Sequence, residues 1–141
     1  MKILYSLLSI IGLALIGGCQ SSEGNTMVLL DEKVKAVNLS NSVNVGEVNP
    51  NIIFSYKEKD VIKVFENAIK TAVKKQTTNI EMIPDYDVLV EYVGEYPIHA
   101  IHLWLGEEDE KSILMYMVGD GETYVTSSKA TNKLRDLLLS E

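Results

Sequence analysis

Cysteine is nearly absent: Cys19 stands alone among 141 residues, so no intramolecular disulfide can form. Histidine is almost as scarce. His99 and His102 invite a metal reading through their H-x-x-H spacing, but a zinc site needs further ligands and no other cysteine or histidine exists. On a strand, moreover, residues three apart point to opposite faces, so the pair cannot chelate one ion. Basic residues are outnumbered, 13 against 20 acidic ones, and the net charge of −7 becomes −8 when Lys2 leaves with the leader. Such a chain is repelled by nucleic acid and by anionic lipid, and neither is expected as a partner. No G-x-S-x-G or S-x-x-K context surrounds a serine, and the glycines form no phosphate loop. The sequence therefore argues for no catalytic residue, no metal and no cofactor.

Only one long apolar run is present. Residues 3–16 carry no charge, follow Met1 and Lys2, and end in Leu15-Ile16-Gly17-Gly18-Cys19. This is shorter than the ~20 residues a membrane-spanning helix needs, and it reads as a signal peptide, residues 1–18, ending in a lipobox. Cys19 is then acylated, and each buried methylene contributes about 0.8 kcal/mol to holding the protein on membrane lipid. Residues 19–32 are read as the lipidated N-terminus and tether, and residues 33–141 as one domain on the extracytoplasmic face of the cell membrane.

Within that domain, residues 33–39 read as a first strand and residues 41–51, with Gly46 and Pro50 among asparagines, as a loop. A helix is expected over 57–75, with Val61, Phe65, Ala68, Ile69 and Ala72 on one stripe, a capping box at Ser55-Tyr56-Lys57-Glu58, and Lys74-Lys75 at its C-terminal end. Four alternating segments follow, 87–93, 98–105, 112–118 and 122–126, separated by turns and by the acidic run Glu107-Glu108-Asp109-Glu110. That run lacks the spacing of a calcium loop and reads as a solvated hairpin tip. Ser127 or Ser128 is placed to cap a terminal helix bearing Ala130, Leu134, Leu137 and Leu138. The fold class implied is α+β: an antiparallel meander sheet with two helices packed on one face.

The residues singled out for binding are aromatic. Ala100, His102 and Trp104 share one face of their strand, and Tyr92 and Tyr116 join them if the register allows, giving a candidate face for a peptide, an envelope protein or a glycan. The competing expectation is that Trp104 packs under a loop.

Ile101-His102-Leu103-Trp104-Leu105-Gly106, with Lys111-Ser112-Ile113-Leu114-Met115, Glu122-Thr123-Tyr124-Val125-Thr126 and Leu134-Arg135-Asp136-Leu137-Leu138, resembles the YhfM-like domain of small lipoproteins from bacilli. The likeness extends more weakly through Val45-Gly46-Glu47-Val48-Asn49 and Phe65-Glu66-Asn67-Ala68-Ile69. The resemblance implies a Gram-positive membrane lipoprotein and carries over no catalytic residue. Three roles are consistent with it: a non-enzymatic binding module, a regulatory or inhibitory lipoprotein acting on a membrane-bound neighbour, and a small metal-dependent hydrolase.

Overall fold

The computed structural model describes residues 24–76, 80 and 82–140; Cys19 and the leader lie outside them. The elements in chain order are β1 (Val34–Asn41), β2 (Ile52–Tyr56), α1 (Lys59–Lys70), β3 (Val73–Lys74), β4 (Tyr86–Tyr92), β5 (His99–Trp104), β6 (Ile113–Tyr116), β7 (Thr123–Val125) and α2 (Ser128–Leu139). All seven strands form one sheet in the order β2-β1-β4-β5-β6-β7-β3, every neighbour antiparallel. The α+β class and the meander β4-β5-β6-β7 expected from the alternating segments are present.

Register fixes the faces. Val37, Val90 and His99 lie side by side across β1, β4 and β5, as do Leu39, Val88 and Ile101, and Leu103 pairs with Leu114. This face meets Ile62, Phe65, Ala68 and Ile69 of α1 and Leu134 and Leu138 of α2 to make the core. Each such side chain contributes about 1.5–3 kcal/mol over its exposed state. The apolar stripes of the two helices are thus their sheet-facing sides. Ser127 caps α2 as expected, its Oγ accepting from the Ala130 N–H at 3.1 Å.

Two expectations for α1 are corrected. The helix stops at Lys70: the Thr71 N–H and hydroxyl both turn back to the Asn67 carbonyl, and Val73 and Lys74 pair with Val125 and Tyr124 of β7. An open sheet edge recruits a β-branched residue more strongly than a fraying helix end retains it. Lys74 accordingly pairs with Glu122 rather than capping the helix dipole. Nor does the capping box form, because Ser55 belongs to β2 and donates to Asn38 Oδ1 at 2.6 Å, leaving Glu58 as the N-cap with no side-chain cap bond.

The ordered fold also begins before residue 33. Thr26 bridges Val73, the Met27 N–H bonds the Ala72 carbonyl at 3.1 Å, and Met27 and Leu29 are buried in the core. The segment then crosses one end of the sheet, from β3 to the start of β1, where the Lys33 carbonyl accepts from the Val93 N–H.

Candidate functional site: a strapped polar row and an open edge

The helix-free face of the sheet carries a row of polar side chains where apolar ones would be ordinary. Ser40, Asp87 and His102 are direct cross-strand partners on β1, β4 and β5, and all three are 0 % exposed. A carboxylate is excluded from solvent only when its lone pairs are occupied. Here Asp87 Oδ1 meets His102 Nδ1 at 3.0 Å, and Asp87 Oδ2 accepts from the Asn49 N–H at 2.9 Å.

The cover is the β1–β2 loop, residues 42–51, which folds back over the row as a strap. Its Gly46 N–H donates to His102 Nε2 at 2.8 Å. A backbone N–H can only donate, so Nε2 is the unprotonated nitrogen and Nδ1 carries the hydrogen given to Asp87. The pair is therefore a neutral imidazole hydrogen-bonded to a carboxylate, not an ion pair. Gly46 has φ of 83°, which a side chain would resist. The strap buries none of its own side chains, and its remaining ties are the Ser42 N–H to the Asp85 carbonyl and Asn49 Nδ2 to the Asn41 carbonyl. Two backbone donors and a buried dyad hold it down.

Chemically this row is a latch. Serine, aspartate and histidine are present, but aspartate stands between the other two, and the histidine nitrogen a serine would need as base is already filled by Gly46. The Ser40 hydroxyl has no hydrogen-bond partner among the described residues.

Trp104 lies on the same face as His102, 6.0 Å away edge-on, as the alternation implies. It is only 8 % exposed, and its Nε1–H donates to the Met82 carbonyl at 2.9 Å, so the expectation of a tryptophan under a loop describes it. Tyr92 and Tyr116 are not with it. The register puts both on the helix side, where Tyr116 Oη accepts from the Val28 N–H at 2.6 Å and donates to the Val28 carbonyl at 2.7 Å. The Leu30 N–H donates to Tyr92 Oη at 3.2 Å, leaving its hydrogen for His99 Nδ1 at 2.6 Å. The four-residue binding face proposed from sequence is thus split between the two sides of the sheet. Burial lowers the pKa of His99 from 6.5, and raises those of Tyr92 and Tyr116 above 10. His99 and His102 point to opposite faces, as strand geometry requires.

The acidic run 107–110 is less free than a solvated tip. The Asp109 N–H and carboxylate pair with Asn132 of α2, both at 2.8 Å, and Arg135 donates to the Gly106 carbonyl at 2.9 Å. Among the described residues no group of three or more histidine, cysteine or carboxylate side chains is arranged to hold a metal.

The two sheet edges differ. The β3 edge is short and covered by residues 25–26, with the Lys74 N–H donating to the Asn25 carbonyl at 2.6 Å. The β2 edge is five residues long and paired on one side only. It contains no charge and no proline, and it exposes Ile52 and Ile53. Ile53 is the extra residue of a bulge opposite Leu39 and Ser40, the one protective device on this edge. The strap also exposes Val43, Val45 and Val48, with Glu47 as its only charge, but its ties to Asp85, Asp87 and His102 place it over β4 and β5, inward of this edge.

Comparison with solved structures finds the fold in a thioesterase-like protein from Clostridium sporogenes, at a TM-score of 0.56 and 14% identity, covering 77% of this chain and 96% of that one. At that identity the likeness concerns the fold. No curated protein matches the chain. The family model described as YhfM protein matches residues 31–141.

Proposed function

The chain belongs to the YhfM family, and we propose that it is a lipid-anchored extracytoplasmic binding module that receives an extended segment of another envelope protein along β2. The observation that carries this reading is the unguarded edge Ile52–Tyr56, free of charge and proline and exposing Ile52 and Ile53. Natural edge strands are blunted by lysine, proline or a cover, and an edge left bare is a template for strand addition. Main-chain hydrogen bonds then supply affinity, while Ile52 and Ile53 choose the side chains. Anchoring rests on Leu15-Ile16-Gly17-Gly18-Cys19 and the apolar run before it. A non-enzymatic role is supported by the histidine, both of whose nitrogens are engaged in holding the strap.

The test is selection of extended peptides from a displayed library on the folded domain, followed by amide shift mapping. Selected peptides are expected to shift the amides of β2 and β1, and to lose binding in the double variant Ile52→Lys/Ile53→Lys with no change in melting. Selected peptides that map elsewhere, survive the lysine variant, or give way to concentration-dependent pairing of two β2 edges would overturn the reading.

A further inference from the structure

The overall acidity of the chain argues that an anionic membrane repels this domain, but the charges and the exposed apolar side chains are not evenly spread. The turn 93–98, between β4 and β5, and the turn 117–122, between β6 and β7, lie at one end of the sheet. Around this end Val28, Val93, Tyr96, Ile98 and Val118 are all exposed, Val118 to 89 %. Monomeric proteins seldom cluster so many large apolar groups without a surface to meet. Residues 24–33 cross the same end, pinned to Tyr116, Tyr92 and Val93.

Charge there is mixed rather than solely acidic. Lys74 pairs with Glu122 at 2.5 Å, Lys75 stands beside Asp120, and Lys33 and Lys35 lie among Asp31, Glu32, Glu91 and Glu95. More acid is at the opposite end, where Glu107, Glu108, Asp109 and Glu110 occupy the β5–β6 loop, Glu107 paired with Arg135 and Asp109 bonded to Asn132. Strand β4 alone runs seven residues between the ends, about 23 Å at 3.3 Å per residue. That is more than two Debye lengths at physiological salt, ~8 Å each. An acidic loop so far from a bilayer hardly opposes contact at the other end.

The place where the chain leaves the fold decides which end faces the membrane. Asn25 is bonded to Lys74 at the β3 edge, where the Lys75 N–H bonds the Thr123 carbonyl at the foot of the 117–122 turn. Between Gly24 and Cys19 lie five residue steps, which span at most about 17 Å fully extended. We infer that this end of the sheet seats on the bilayer to which Cys19 is attached, with the tips of the 93–98 and 117–122 turns in the headgroup layer. The occupant is the phospholipid surface itself: Val93, Ile98 and Val118 enter the interface, Tyr96 lies at headgroup level, and the lysines lie near lipid phosphates. The inference rests on acylation at Cys19. It also places the strap and the Ile52 end of β2 away from the membrane, where a partner can reach them.

The test uses the mature acylated protein in phosphatidylglycerol/phosphatidylcholine vesicles. A nitroxide is attached in turn to Val118→Cys and to Val48→Cys, two exposed positions at opposite ends; the acylated Cys19 sulfur is a thioether and takes no label. At position 118 collision with a water-soluble nickel chelate is expected to fall severalfold, and collision with oxygen to rise, relative to position 48. Equal, fully aqueous behaviour at both positions would overturn the seating while leaving the anchor intact. The mass of the Cys19 peptide from the same preparation reads the anchor separately, and an unacylated Cys19 would overturn both.

Discussion

Replacing Asp87 with asparagine tests whether the polar row is a latch. The carboxylate accepts two hydrogen bonds in a site with no solvent, from His102 Nδ1–H at 3.0 Å and from the Asn49 N–H at 2.9 Å. An amide offers one oxygen, so its NH2 must face either the imidazole N–H or the Asn49 N–H, donor against donor. One charge-assisted bond is lost and a buried donor is orphaned, which together cost about 2–3 kcal/mol. A domain of this size loses about 3–5 °C of melting temperature per kcal/mol. Complete retention of the strap in Asp87→Asn thus implies a fall of about 10 °C in a calorimetric melt. The strap has a cheaper escape, because it buries no side chain and can lift to let water solvate the dyad. The expected result is a smaller fall in melting temperature with a large rise in amide exchange at Gly46 and Asn49, roughly tenfold per 1.4 kcal/mol of lost closure. If both amides stay as protected as in the parent and the melt moves by less than about 0.5 kcal/mol, the dyad does not hold the strap.

Two further outcomes follow from the same geometry. His99, its pKa depressed by burial, binds fewer protons folded than unfolded; its contribution to stability is complete above about pH 6.5 and is lost as pH falls toward the folded value, so melting temperature should drop between pH 7 and 5 and the drop should shrink in His99→Gln. At Gly106 an added Cβ would sit 2.4 Å from the Lys111 carbonyl oxygen, a backbone atom that cannot rotate away; Gly106→Ala should lower stability by about 1–3 kcal/mol in urea titration, and an unchanged midpoint would mean that the β5–β6 loop yields freely.

Much of the architecture is legible because it is periodic. Alternation placed Val88 and Val90 on one face and separated His99 from His102, and the stripe Ala130-Leu134-Leu138 with Ser127 ahead of it defined α2. What escaped was set by pairing between distant strands. Tyr92 shares a face with Ile101 and not with His102 because Val88, not Leu89, pairs with Ile101, and no local pattern states that register. The sequence extends α1 to residue 75 because Ala72 continues its apolar stripe and Lys74-Lys75 suit its C-terminal end, whereas the edge that claims Val73 and Lys74 lies some 50 residues away in β7. The strap carries no fold-back signature of its own. A hint existed in Asp87, an acid directly before the apolar run Val88-Leu89-Val90, which demands donors from somewhere; the Asn49 amide of the β1–β2 loop and His102 Nδ1–H supply them.

The clasp between Tyr116 and Val28 has a consequence for how the molecule comes into being. The two residues are 88 apart in the chain, and Tyr92 reaches Leu30 over 62. The ties of Val28 and Leu30 wait for β6 and β4, and the core under α1 stays open until Leu134 and Leu138 arrive at the far C-terminus. Topologies dominated by such distant contacts fold slowly, on the order of milliseconds to seconds. The core therefore closes only when the last helix joins it, so removing α2 should leave the sheet's inner face uncovered rather than a smaller folded domain.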